Sequence, residues 1–165
     1  MSHTYPLKRL AVIASVLSYT LILSACATHN TEDEHTVYAP GLGEFMAQIS
    51  TRHIKLWYAG DAENWQLADY ELEEIHEGLD DLAKYHPTHD KIKGSIPNMI
   101  AVYMKAPLEQ TEAAIKVKNV GAFRAGYDSL TTACNSCHQA NNFGFNVIAR
   151  PSGNPFTNQS FQTQL

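Results

Sequence analysis

Apolar residues recur every three or four positions in four stretches of the chain, a spacing typical of amphipathic helices. The first stretch covers Leu42–Ala59, and its core-facing positions include Met46 and His53. Gly60-Asp61 is predicted to end this helix, with Asp61 capping the second one. The second stripe steps regularly by four and three residues until the chain reaches His86-Pro87. Its regularity predicts a long second helix.

Two further helices are predicted in the second half of the chain. Ser95 and Pro97 mark the start of the third, and Pro107 is expected to kink or split it. Asn119 is predicted to cap the fourth helix, which ends at Asn141-Asn142. No segment alternates with a period of two residues, as a half-buried strand would.

Four helices with short connections predict an all-α fold, an antiparallel four-helix bundle that spans residues 41–142. Residues 143–165 contain four phenylalanines and several Gly and Pro residues but no helical period. We expect this segment to be an irregular tail that packs on the bundle through its aromatic side chains.

Residues 1–25 have the layout of an export signal. Lys8 and Arg9 precede the uncharged segment Leu10–Leu23, which is too short to span a bilayer. Leu23-Ser24-Ala25-Cys26 resembles the lipobox of bacterial lipoproteins, and the resemblance implies that Cys26 is the lipidated first residue of the mature protein. The alternative is an ordinary secretory signal that leaves Cys26 as a free thiol. Residues 26–40 are polar and aperiodic, which predicts a flexible tether.

The charge balance argues against nucleic acid as a partner. The chain has 12 Lys and Arg against 17 Asp and Glu, a net charge of −5. Loss of Lys8 and Arg9 with the signal makes the mature chain more acidic still, whereas nucleic-acid binding needs basic surface. Three cysteines are too few for a disulfide scaffold.

Cys134-Asn135-Ser136-Cys137-His138 is a C-x-x-C-H motif, the attachment signature of c-type haem. Two thiols at this spacing can add to two vinyl groups on one edge of a porphyrin, and the following imidazole can bind the iron. A structural zinc site needs four protein ligands, and the chain has no second pair of cysteines. A thioredoxin-like pair would open a helix, whereas this pair lies near the end of one. The motif predicts one covalent haem c, with Cys134 and Cys137 as thioether residues and His138 as the proximal ligand.

Four amphipathic helices with C-x-x-C-H near the end of the last one resemble the class II c-type cytochromes, the group of cytochrome c′ and its low-spin relatives. The resemblance covers roughly residues 41–142 and implies a four-helix bundle around a haem bound by Cys134, Cys137 and His138. It also implies homodimerisation, which is frequent in the class. The lipoprotein leader and the tail lie outside the usual pattern of the family.

The sixth iron ligand separates electron carriers from gas binders. Met46 and His53 are the candidates on the first helix. At about 1.5 Å per residue from the shared pole, His138 lies roughly 27 Å deep, Met46 roughly 20 Å and His53 only about 9 Å. The count favours Met46 as the distal ligand, with His53 as the alternative.

The sequence therefore predicts a lipid-anchored monohaem cytochrome that transfers single electrons and has no substrate chemistry of its own. It is expected to face the periplasm from a bacterial membrane, and Ala27 after Cys26 favours the outer membrane by analogy with enteric lipoproteins. Seven acids on the second helix form either a solvated face or a docking surface for a basic redox partner. The alternatives are a five-coordinate haem that binds nitric oxide or carbon monoxide, and a haem subunit of a larger redox complex.

Overall fold

The computed structural model describes residues 38–163, and the secondary structure of this range is entirely helical. The predicted signal and Cys26 lie outside the described residues. The five helices are α1 (Leu42–Asp61), α2 (Trp65–Tyr85), α3 (Ile96–Tyr103), α4 (Lys105–Lys116) and α5 (Val120–Ala140). The prediction of an all-α protein is confirmed.

The helices pack around one main core. Helix α1 packs most extensively on α2, and α4 packs most extensively on α5. The α1 helix also contacts α5, which brings the first and last helices together. The largest fully buried apolar side chains of this core are Leu56, Leu72, Ile75, Phe123, Tyr127 and Leu130.

The third predicted helix is split in two, and the break falls at Met104. Pro107 has no backbone N–H to donate to the carbonyl of Tyr103, and its ring crowds that carbonyl. Helical hydrogen bonding continues on either side, from Met104 N–H to Ile100 O (2.8 Å) and from Leu108 N–H to Met104 O (3.0 Å). The split thus follows from a single proline one turn further along.

Two caps match their predictions and one does not. Ser95 caps α3 and Asn119 caps α5, each accepting a backbone N–H with its side chain. Helix α1 ends at Asp61, as the break at Gly60-Asp61 predicted, but the predicted cap is wrong, because Asp61 is the last residue of α1 and does not cap α2. Asn64 caps α2 instead, by accepting the N–H of Leu67 at 3.3 Å.

Gly60, in the last turn of α1, makes a close tertiary contact with α5. A Cβ at this position would lie 2.1 Å from Cζ of Phe123, a ring on α5 that is fully buried. Only a residue without a side chain allows the two helices to approach this closely. Asp61, one residue on, pairs with Arg124 at 2.8 Å and connects the same two helices.

Replacing Gly60 with alanine is expected to lower the free energy of unfolding by roughly 1–3 kcal/mol, the usual cost of overpacking a core. Gly43→Ala is the matched control in the same helix, because nothing lies within 4 Å of the added methyl group. Urea denaturation of both variants measures the difference. Equal stability of the two variants would show that α1 and α5 do not approach at Gly60 as described.

Candidate functional site

The C-x-x-C-H motif lies in the last turns of α5. Cys137 and His138 follow Cys134 by three and four residues, so the three side chains share one face of the helix. All three are partly buried and line the same cavity. The structure therefore brings together the three residues that the motif singles out.

The cavity has a volume of about 520 Å³ and is bounded by α1, α2, the loop between α2 and α3, α3, the break after α3, α5 and the start of the tail. This volume is in the range of small-molecule and cofactor sites. Its lining is mostly aliphatic and thioether side chains, among them Leu42, Met46, Ile49, Ile75, Leu79, Leu82, Ile92, Ile96, Met99, Ile100, Met104, Leu130 and Ile148. Such a lining suits a flat apolar group.

Both motif cysteines are free thiols with raised pKa values. Burial raises the pKa of Cys134 to about 11, with a smaller contribution from Cys137. Burial also raises the pKa of Cys137, partly offset by a hydrogen bond from Asn141. Redox-active C-x-x-C pairs have lowered thiol pKa values, so this environment is opposite to that of a disulfide oxidoreductase.

The imidazole of His138 is oriented by the tail. Its Nδ1 lies 2.8 Å from the carbonyl oxygen of Asn146. Because a carbonyl only accepts, Nδ1 carries the proton and donates it, and Nε2 keeps its lone pair. Metal-binding histidines are commonly held in this way. Sequence reasoning missed Asn146, because the contact uses its backbone and comes from an irregular segment.

Met46 lines the cavity from α1. Two further methionines, Met99 and Met104, also line it, and sequence reasoning did not single them out as thioether candidates. The sulfur of Met99 accepts a hydrogen bond from Nδ2 of Asn141 at 3.2 Å. The same amide nitrogen donates to the carbonyl of Cys137 at 2.9 Å, so Asn141 connects Met99 to the motif. The position of Met99 on the apolar stripe of the third predicted helix was the available signal.

His53 also lines the cavity, but both of its ring nitrogens contact α5. Nδ1 lies 2.9 Å from Oη of Tyr127, and Nε2 lies 3.0 Å from Oγ1 of Thr131. The imidazole stacks on the Tyr127 ring with centroids 4.3 Å apart. The side chain is 3% exposed, and burial lowers its pKa to about 4. His53 is thus a neutral residue held in a buried network.

The folded protein is expected to lose stability as the pH falls from about 6.5 to about 4. In this window His53 takes up a proton in the unfolded chain but not in the folded one, so the stability contributed by the neutral imidazole is present above it and lost through it. The loss is on the order of 3 kcal/mol. We expect His53→Gln to flatten the pH dependence in urea denaturation.

Gln48→Ala, at an exposed and non-titrating position of α1, is the control and should keep the wild-type pH dependence. An unchanged slope in His53→Gln would contradict the assignment of a buried neutral imidazole.

The acids of α2 do not all face solvent. Glu71 is 1% exposed, and its carboxylate lies 3.2 Å from the guanidinium of Arg52, which also contacts Glu74 at 2.8 Å. Burial raises the pKa of Glu71, and the hydrogen bond from Arg52 opposes the shift. The expected acidic face is corrected in this respect, because Glu71 is buried and its carboxylate pairs with the partly exposed Arg52. The exposed acids of α2 are Asp69, Glu73, Glu77, Asp80 and Asp81.

The side chains around the motif fit a covalently bound haem. Two thiols, an imidazole with a free Nε2 and an apolar cavity of cofactor size lie together. Within residues 38–163 there is no cluster of three or more His, Cys, Asp and Glu residues that would hold a bare metal ion. In the same range, no helix is both long and apolar enough to cross a membrane.

No protein-family model, curated protein or solved structure matches this chain.

Proposed function

We propose that this protein is a monohaem c-type cytochrome that transfers single electrons. The observation that carries the proposal is the convergence of Cys134, Cys137 and His138 on one wall of an apolar cavity of about 520 Å³. A haem bound there supplies one-electron redox chemistry. The residues of the chain hold it and orient its ligands.

Each motif residue has a distinct role in this proposal. Cys134 and Cys137 form the two thioether links, and their spacing along one helix face sets the distance between the links. His138 binds iron through Nε2, because Nδ1 donates to the Asn146 carbonyl. This hydrogen bond selects the tautomer that can bind a metal.

The helices of this cytochrome are proposed to form an antiparallel four-helix bundle, with α3 and α4 together as the third member. Contacts between α1 and α5 support the antiparallel arrangement, because residues later in α1 contact residues earlier in α5. Gly60 at the end of α1 approaches Phe123 near the start of α5, whereas His53, earlier in α1, contacts Thr131, later in α5. If this pairing continues for two more turns, Met46 of α1 lies level with Cys134 to His138 of α5.

Met46 is the proposed sixth ligand. It lies on α1, a different helix from His138, and both residues line the cavity. His53 is the less suitable ligand, because both of its ring nitrogens are already hydrogen-bonded to α5. The sulfur of Met99 contacts Asn141, one turn after Cys137, and so lies beside the motif rather than opposite His138.

The cellular setting belongs to the same proposal. Residues 1–25 are the signal, and a lipidated Cys26 holds the haem domain at the periplasmic face of a bacterial membrane. A basic redox partner fits the exposed acids of α2, which form a negative surface even with Glu71 buried. Membrane attachment through lipid places the protein near membrane-bound donors and acceptors.

Absorption spectra of the purified protein in both oxidation states test the function. We expect covalently bound haem with low-spin spectra and, in the ferric state, the weak long-wavelength band of a methionine–iron bond. High-spin spectra would indicate a five-coordinate iron and would favour the alternative function, the binding of nitric oxide or carbon monoxide. Copurification of a larger enzyme would make the protein a haem subunit, and a chain without covalent haem would refute the proposal.

A further inference from the structure

The start of the tail returns along α5 and is attached to it at three successive points. Asn146 contacts His138, Ile148 contacts Asn135, and Arg150 pairs with Asp128. Each successive tail residue of the three lies two positions further along the chain, and its partner lies earlier in α5. Residues 143–150, called the strap, therefore begin with a turn closed by the Asn146 N–H on the Phe143 carbonyl (2.8 Å) and then run antiparallel to the helix.

Alternate residues of the strap face away from the helix. Phe145 is 82% exposed and Val147 is 71% exposed, on either side of Asn146. Two large apolar side chains in solvent do not hold the strap in place by burial. Its position near His138 therefore depends on its hydrogen bonds to α5 and on Phe143 and Ile148, which line the cavity.

Asn135 makes the most specific of these contacts. Its Nδ2 donates to the carbonyl of Ile148 at 2.8 Å, and its Oδ1 accepts the N–H of the same residue at 2.8 Å. A carboxamide that satisfies both backbone groups of one residue fixes the strap in one register, because a shift by one residue breaks both bonds. Asn135 is one of the two variable positions of C-x-x-C-H, so the motif itself carries the clamp.

The clamp lies two residues from the carbonyl that contacts His138. The backbone carbonyls of Asn146 and Ile148 both face α5, as their contacts with His138 and Asn135 show. Fixing Ile148 against α5 therefore also fixes the Asn146 carbonyl at 2.8 Å from Nδ1. On its other side, Asn146 is tied to α5 by the turn, because Phe143 N–H donates to the His138 carbonyl at 2.8 Å, so the clamp and the turn together hold that distance.

We propose that Asn135 is a positioning residue for the axial histidine, acting through the strap. It holds the Asn146 carbonyl as the acceptor for Nδ1–H, which makes the His138 imidazole a stronger electron donor to iron. A stronger donor favours the ferric state and lowers the reduction potential. The inference rests on the proposed haem function and adds a second role to the motif, beyond the attachment of haem.

The test uses the intact haem-loaded protein and the variant Asn135→Ala. The ratio of ferrous to ferric protein at a fixed electrode potential is expected to rise roughly three- to tenfold, the effect of one net hydrogen bond. The amide of Ile148 should exchange with solvent at least about tenfold faster, because its acceptor is gone. Asn135→Asp keeps the oxygen that accepts from the Ile148 N–H and loses the nitrogen that donates to the Ile148 carbonyl. The Ile148 amide should therefore stay protected from exchange, while the Ile148 carbonyl loses its donor.

Ser136→Ala is the matched control at the other variable position. The Ser136 hydroxyl donates to the carbonyl of Thr132 within α5 and not to the strap. This variant should therefore keep both the wild-type redox ratio and the wild-type exchange rate. A proton NMR spectrum of the ferric protein gives a third readout, because the haem methyl shifts respond to the orientation of the axial imidazole.

The outcomes separate the two proposals. Faster exchange of the Ile148 amide with unchanged redox ratio and haem methyl shifts would refute the positioning role and leave the cytochrome assignment intact. An effect of Ser136→Ala as large as that of Asn135→Ala would also refute it. Absence of covalent haem from the wild-type protein would refute the cytochrome assignment and this inference with it. If Asn135→Ala does not fold, Asn135→Ser, which removes the carboxamide without adding a charge, decides the question by the same three measurements.

Discussion

Replacement of both Cys134 and Cys137 with alanine is expected to abolish covalent haem attachment. Acid–acetone should extract all haem from the double variant and none from the wild-type protein, because thioether bonds resist this treatment whereas an iron–histidine bond does not. Each single variant should retain one thioether link and still hold haem. Mass spectrometry of the extracted chain, with and without the mass of haem, measures the result directly.

Ser136→Ala is again the matched control, since this residue lies between the two cysteines and its hydroxyl bonds only to α5 among the described residues. It should keep covalent haem at the wild-type level. Retention of haem by the double variant after extraction would refute the attachment. The raised thiol pKa values of Cys134 and Cys137 already separate this pair from a redox-active one, for which the double variant would lose a disulfide instead.

Met46→Leu is expected to convert a low-spin iron to a high-spin, ligand-accessible one. Leucine keeps nearly the volume of methionine and removes only the sulfur, so the cavity wall stays packed while the sixth ligand is lost. The reduction potential should fall by on the order of 0.1 V, because a thioether favours ferrous iron and axial ligands span about 0.8 V. Absorption spectra and carbon monoxide binding measure the change.

Three variants serve as controls for the sixth ligand. Met99→Leu and Met104→Leu remove the other thioethers of the cavity, and His53→Ala removes its alternative imidazole. All three should keep the low-spin spectrum, although His53→Ala should be less stable because it breaks the contacts with Tyr127 and Thr131. If one of these variants opens the iron and Met46→Leu does not, the assignment of Met46 is wrong. If the wild-type iron is already open, the gas-binding alternative replaces it.

The positions of the helices follow closely from the sequence. The apolar stripes, the caps at Ser95 and Asn119, and the split caused by Pro107 all depend on residues within about a turn of each other. The choice of chemistry is local as well, because C-x-x-C-H places Cys134, Cys137 and His138 on one face of any helix that contains it. Signals of this kind can be recognised without knowledge of the tertiary contacts.

The tertiary structure decided the features in which distant residues meet. The sequence places Gly60 at the end of α1, but only the fold brings the Phe123 ring to the position that a side chain there would occupy. Glu71 has the sequence pattern of one more surface acid of α2, yet it is buried and pairs with the partly exposed Arg52 of α1. In both cases the deciding contact is between residues far apart in the chain.

The surroundings of the two histidines show the same division. The sequence by itself determined that His138 follows the second cysteine and that His53 lies on a core-facing stripe. Only the tertiary structure decided that the Asn146 carbonyl accepts from Nδ1 of His138 and that both nitrogens of His53 face α5. A backbone carbonyl is present at every residue, so composition and periodicity contain no signal for which one will bind an imidazole. That selection depends on how the chain packs after all the helices have formed.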